Sequence, residues 1–244
     1  MNIAEDRKAL INTLRKNILQ WEGYTLPPSG TKGAMGLGPM ETAFPNGVFP
    51  LGTVHEFICS TIEQATASCG LIAGLLSLLM QQRGTCLWIS LGNHSFPPAL
   101  KAFGAEAHRI IFVRVIKDRE ALWVMEESLK CTGLAAVVAE VCELDFKASR
   151  RLQLAVEQSH VTGFILRQQP KKTGSTACAA RWQVSPLPSQ PVDGLPGLGF
   201  PRWKIDLLSV RNGRPGSWTM EWSEGKFKAV EEQKTVPGQQ QKVG

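Results

Sequence analysis

Between residues 52 and 166, short apolar runs alternate with helix-like segments, and few folds accommodate that alternation. Residues 53–58, 86–90, 109–113, 135–141 and 163–166 read as strands. Helices are expected at 63–83, around 97–103, at 118–131 with Asp118 as N-cap, and at Phe146–Ser159. Strands that are apolar on both faces and separated by amphipathic helices form a mostly parallel sheet covered on both sides. The expected fold class is therefore α/β. Beyond Gln168 the pattern changes to antiparallel strands at 178–186, 203–211 and 217–223, with Asn212-Gly213 marking the last hairpin turn. The expected division is an amphipathic helix within 1–25, a domain over 36–225 and a tail at 226–244, whose composition suits disorder.

The first strand and first helix enclose a loop expected at Cys59, Ser60, Thr61, Ile62, Glu63, Gln64, Ala65 and Thr66. Strand, loop and helix in that order are the setting of a phosphate-binding loop. There, glycines let backbone N–H groups wrap phosphate while a Lys-Ser/Thr pair holds the outer phosphates and Mg²⁺. This loop has no glycine and no lysine, and Glu63 puts negative charge where phosphate would sit. Gly225-Lys226 runs into Phe227, far from any such setting, and Gly30-Thr31-Lys32-Gly33 lies in a Gly- and Pro-rich connector. The pattern is that of an NTPase-like scaffold without its NTPase. It gives no catalytic residue, cofactor or metal to assign.

The cysteines at 59, 69, 86, 131, 142 and 178 form no Cys-x-x-Cys pair and have no histidine at zinc-finger spacing. They read as buried free thiols of a reducing compartment, and the polar residues 2–16 give no secretory leader, so the expected location is cytoplasmic. The apolar run at 69–80 is too short to span a bilayer and reads as a buried helix, with no membrane partner. Its Gly70 and Gly74 suggest close packing of helix on sheet. Residues 1–150 carry 14 Lys and Arg against 14 Asp and Glu, whereas 151–230 carry 11 against 5. The positive charge is thus localised, which suits a nucleic-acid backbone or an acidic protein, or a plain solvated surface.

Arg181, Arg202, Lys204, Arg211 and Arg214 lie on the C-terminal strands and their turn, interleaved with Trp182, Trp203, Trp218 and Trp222. Cations for phosphates and aromatic faces for unpaired bases make a single-stranded DNA or partner surface, with Trp218 beside the turn. The competing reading has the tryptophans packing the hairpin onto the sheet while the arginines bond loops. Glu140, Glu143 and Asp145 follow a strand at the sheet edge where α/β ligands bind. Carboxylates in a turn and first helical turn also favour the helix dipole, and that reading is preferred to a residual metal site. His55 and His94 lack any nucleophile and acid to work with, so they read as structural. Leu10, Ile11, Leu14, Ile18 and Trp21 stripe the N-terminal helix, and something must cover them.

Phe49-Pro50-Leu51-Gly52-Thr53-Val54-His55-Glu56-Phe57-Ile58 resembles the RecA-type strand that leads into the phosphate loop. Arg83-Gly84-Thr85-Cys86-Leu87-Trp88-Ile89-Ser90 is similar to the strand after the phosphate-loop helix. Phe103-Gly104-Ala105-Glu106, Ile110-Ile111-Phe112, Glu120-Ala121-Leu122 and Val137-Val138 keep the RecA order. The C-terminal part narrows the resemblance. Ala180-Arg181-Trp182-Gln183-Val184-Ser185-Pro186, Arg202-Trp203-Lys204-Ile205-Asp206-Leu207-Leu208 and Arg211-Asn212-Gly213-Arg214-Pro215-Gly216-Ser217-Trp218 look like the ImuA family of bacterial damage-inducible mutagenesis proteins.

That resemblance implies a RecA-like sheet and an accessory, non-enzymatic role in translesion synthesis and the SOS response. It implies an ImuB-like polymerase-related partner, an error-prone DNA polymerase complex and RecA itself. The chain departs from active RecA in three places. The phosphate-loop Lys-Thr pair is missing, Leu91-Gly92-Asn93-His94 replaces the water-activating glutamate, and Glu140-Val141-Cys142 replaces the magnesium-binding aspartate. The rival readings are an ATP-binding recombination protein with an unusual loop and a SulA-like inhibitor of cell division.

Overall fold

The computed structural model describes Leu14 and residues 35–82, 84–92, 97–189 and 199–230. The rest of the expected N-terminal helix, Gly30–Gly33, His94 and residues 231–244 lie outside the described residues. Parallel strands β1 (Val54–Cys59), β2 (Thr85–Leu91), β3 (Ile110–Val115), β4 (Leu134–Val141) and β5 (Thr162–Gln168) come first. Between them run α1 (Ile62–Gln82), the short α2 (Pro97–Leu100), α3 (Asp118–Leu129) and α4 (Phe146–Ser159). The strands β6 (Ala180–Leu187), β7 (Arg202–Val210), β8 (Gly216–Ser223) and β9 (Lys226–Ala229) follow. All nine make one sheet in the order β3-β2-β4-β5-β1-β6-β7-β8-β9. The pairing is parallel from β3 across to β6 and antiparallel from β6 to β9, a RecA-like α/β sheet with an antiparallel extension.

Two cores lie on opposite faces of the sheet. On one, α1 covers β1, β4, β5 and β6 with Leu71, Ile72, Leu75, Leu76 and Leu79, all buried. Each such side chain contributes about 1.5–3 kcal/mol when fully removed from water. The stretch Ile62–Gln81 is long and apolar enough to cross a bilayer, longer than the run at 69–80 suggested, but 61% of it is buried within the protein. It is a core helix. Gly70 and Gly74 let it approach the aromatic side chains closely. A Cβ on Gly74 would come within 2.6 Å of Phe227, and one on Gly70 within 2.9 Å of Phe103. On the other face, α3 and α4 cover β2, β4 and β5 through Ala121, Met125, Leu129, Leu152 and Val156.

No helix links β5 to β6. Residues 169–179 instead run back across the α4 face as an extended strap, with the Ala177 N–H donating to Ser149 Oγ and the Ala179 N–H to the Val54 carbonyl. Before β1, Gly52 takes φ +63° and sits against His160, where a Cβ would lie 3.1 Å from the neighbouring backbone.

Besides the turn between β1 and α1, the structure differs from the expectation at two points. Lys226–Ala229, placed in the tail, form β9 along β8, because Phe227 is buried against Trp222 and Trp203. Asp118 is not the N-cap of α3. Lys117 holds that position, and the Asp118 carboxylate accepts from the Cys142 and Glu143 N–H groups at 3.0 Å each.

Candidate functional site

The C-terminal ends of β1, β4 and β5 form the sheet edge where α/β proteins place ligands. The loop expected at 59–66 is far shorter. Cys59 still belongs to β1 and Ile62 already begins α1, so only Ser60 and Thr61 connect them. Two residues cannot encircle a phosphate, and the Ser60 N–H and the Thr61 hydroxyl are engaged. The Ser60 N–H donates to Gln64 Oε1 (2.9 Å) and the Gln64 N–H to Thr61 Oγ1 (3.3 Å), the reciprocal capping of a helix start. The Glu63 carboxylate is held low by bonds from the Thr61 hydroxyl and its own N–H. A resident anion therefore occupies the positive end of α1, the position a phosphate would need. Gln64 Nε2 reaches Ser185 Oγ on β6 at 3.2 Å, tying this turn to the C-terminal strands.

The acidic cluster separates into three engaged groups. Glu140, buried at the end of β4, accepts from Trp88 Nε1 (2.8 Å) and Gln168 Nε2 (3.2 Å). Glu143 accepts from the Lys171 N–H at 3.0 Å and faces Arg167 at 3.6 Å. Asp145 is the N-cap of α4, accepting from the Ala148 N–H at 2.6 Å. Among the described residues, no three His, Cys, Asp or Glu side chains converge to hold a metal ion.

Glu56 lies in mid-β1 with no exposed surface and faces the strap. Its Oε1 accepts from Arg167 (2.7 Å), and its Oε2 accepts from Arg181 Nε (2.9 Å) and Thr176 Oγ1 (2.6 Å). Arg167 also donates to the Lys172 carbonyl and Arg181 to the Gly174 carbonyl, so one buried carboxylate clamps the strap onto the sheet. His55 points to the other face. Its Nε2–H donates to the Pro50 carbonyl (2.8 Å), Trp182 Nε1 donates to its Nδ1 (3.4 Å), and Phe49 stacks on the ring at 4.6 Å. Burial lowers its pKa to about 4, so it is a neutral structural histidine. Burial also raises the thiol pKa of Cys59 to about 11 and of Cys86 and Cys178 to about 12. Cys131 and Cys142, expected inside with the rest, are exposed.

The C-terminal basic residues do not form one open surface. Arg181 is spent on Glu56, and Arg202 pairs with Glu221 at 2.7 Å. Lys204 lies 3.7 Å from Asp206, and Arg211 donates to the Ala177 carbonyl at 3.0 Å. Arg214 is exposed. Trp182, Trp203 and Trp222 are buried among Phe49, Phe57, Phe103 and Phe227, while Trp218 is half-buried over the same core. Packing, not base stacking, accounts for three of the four tryptophans. The turn at 211–216 clasps the segment before β1. The Arg214 N–H donates to the Ala43 carbonyl (2.8 Å), and Gly213 lies so close to that oxygen that no Cβ fits.

No family model matches the chain. Protein ImuA of Caulobacter vibrioides strain NA1000 / CB15N is 34% identical over 197 residues, covering 76% of this chain and 81% of that protein. Protein ImuA of strain ATCC 19089 / CIP 103742 / CB 15 matches to the same extent. The chain belongs to the ImuA family. In this ImuA-family protein the sheet edge is filled by the chain's own side chains. Glu56 and Arg167 were the residues that sequence reading passed over as sites. Their signal was a charge inside an otherwise continuous apolar strand, which is stable only when paired.

Proposed function

We propose that this ImuA-family chain is a non-catalytic accessory factor in damage-induced translesion DNA synthesis, part of the SOS response. It acts by contact with an ImuB-like polymerase-related protein and an error-prone polymerase complex. The observation that carries this reading is the capped two-residue turn Ser60–Thr61, whose Ser60 N–H and Thr61 hydroxyl are already bonded and whose helix start carries the Glu63 carboxylate. A scaffold with that turn offers surfaces rather than turnover. The likeness to Protein ImuA of Caulobacter vibrioides supports placing it in this system.

Titration with a fluorescent ATP analogue and Mg²⁺ is expected to give no saturable binding, and DNA to stimulate no hydrolysis. Either activity would return the chain to the ATP-binding recombination class. Affinity purification from damaged cells is expected to recover the polymerase-like partner. Recovery of the cell-division protein FtsZ in its place would favour the SulA-like reading.

Single-stranded DNA contact is a second reading, supported by Lys204, Arg211, Arg214 and half-buried Trp218. It predicts salt-sensitive binding that weakens when Arg211 and Arg214 are reversed to Glu, each lost phosphate contact lowering the salt slope by about one. Unchanged binding in the double variant would remove this surface.

A further inference from the structure

We infer that the surface formed by the starts of α3 and α4 and the top of the strap is a docking site for an acidic, apolar segment of a protein partner. This deepens the proposed function and rests on it.

Three loops that are distant in sequence are fastened here by two carboxylates. Asp118 accepts from the Cys142 and Glu143 N–H groups, and Glu143 accepts from the Lys171 N–H. The result is a fixed platform, not three independent loops. Two large apolar side chains stand on it in water, Ile116 with 87% of its surface exposed and Phe146 with 57%. Both occupy the crossover from strand to helix, where neither contributes to the core. Around them Lys117, Arg119, Lys147, Lys171 and Lys172 are exposed and make no ion pair among the described residues. Asp118, Glu120, Glu143 and Asp145 keep their charge while accepting from backbone N–H groups, and Glu143 also faces Arg167, so the platform's five exposed cations exceed its four carboxylates by one.

An exposed apolar pair ringed by unpaired cations calls for a ligand with both characters. Nucleic acid would meet the cations with phosphate and Phe146 with a base, but the more exposed Ile116 is aliphatic and offers no ring for a base to stack on. An amphipathic protein segment with carboxylates flanking apolar anchors satisfies both, the anchors burying Ile116 and Phe146 while the carboxylates set orientation and on-rate.

The test uses the full chain and the purified polymerase-like partner. It compares the wild type with Ile116→Ser/Phe146→Ser, with Lys117→Glu/Arg119→Glu/Lys147→Glu, and with Ile62→Ser as control. Ile62 is equally apolar and exposed but starts α1 on the opposite face. Circular dichroism is expected to be unchanged, since none of these side chains is buried. Partner affinity is expected to fall at least tenfold in both multiple variants, the charge variant also losing its salt dependence, with Ile62→Ser binding as wild type. Binding within twofold of wild type in both variants would overturn the surface and leave the proposed function standing. No binding by the wild type would overturn both. Loss of single-stranded DNA binding with partner binding retained would make this a nucleic-acid surface and overturn the inference.

Discussion

At Glu56, one carboxylate with no exposure satisfies Arg167, Arg181 and Thr176, and with them the strap that replaces a crossover helix. Truncating it leaves a buried guanidinium uncompensated, and Glu56→Ala is expected to cost about 3–5 kcal/mol. Urea unfolding measures this directly, and a loss below about 1 kcal/mol would mean the strap is held by something else. His55 predicts a pH dependence. Its native pKa near 4 lies below the ordinary 6.5, and its ring faces Phe49, Phe164, Trp182 and the Pro50 carbonyl, none of them charged. As pH falls through 6.5 the unfolded chain takes up a proton that the folded chain refuses. Stability is therefore full above about pH 6.5 and declines by about 3 kcal/mol as pH drops toward 4. A His55→Gln variant is expected to flatten that part of the profile. A wild-type slope retained in the variant would assign it to other groups.

At the scale of elements, glycine spacing carries the most information. Gly70 and Gly74 hold α1 against Phe103, Trp203, Trp222 and Phe227. Alanine at Gly74 would gain about 1 kcal/mol of helix propensity but force aromatic rings out of place at about 1–3 kcal/mol. A net loss of up to about 2 kcal/mol in chemical denaturation is expected, and a stabilised variant would contradict the close approach. Close helix–sheet packing was legible from the small-residue spacing. The parallel strands and α4 were legible as well, because buried strands and an amphipathic helix advertise their periodicity. The two-residue turn at Ser60–Thr61, expected as a loop over 59–66, was not. Helical capping by Thr61 and Gln64 depends on side-chain bonds that a search for glycine and lysine overlooks. Neither was β9, whose four residues carry two lysines and only Phe227 as an anchor. Those lysines suit a short guarded sheet edge.

For the whole molecule, the antiparallel extension completes the sheet rather than decorating it. β6 pairs directly with β1, and its Trp182 enters the core beside Phe57 and His55. The tryptophans and arginines that suggested a nucleic-acid surface are largely the material of this junction. Sequence could not separate the two uses, because the partner Glu56 lies 111 and 125 residues from the arginines it pairs with. Five exposed cations that make no ion pair among the described residues gather instead at the starts of α3 and α4 and on the strap, of which Lys171 and Lys172 belong to the region that composition favoured. The proposed function has a RecA-like sheet exchange nucleotide turnover for protein contact. Its most direct test is the dissociation constant for the polymerase-like partner, measured with and without Mg²⁺-ATP. Values equal within twofold are predicted, and partner binding that requires ATP, or tightens tenfold with it, would contradict the account.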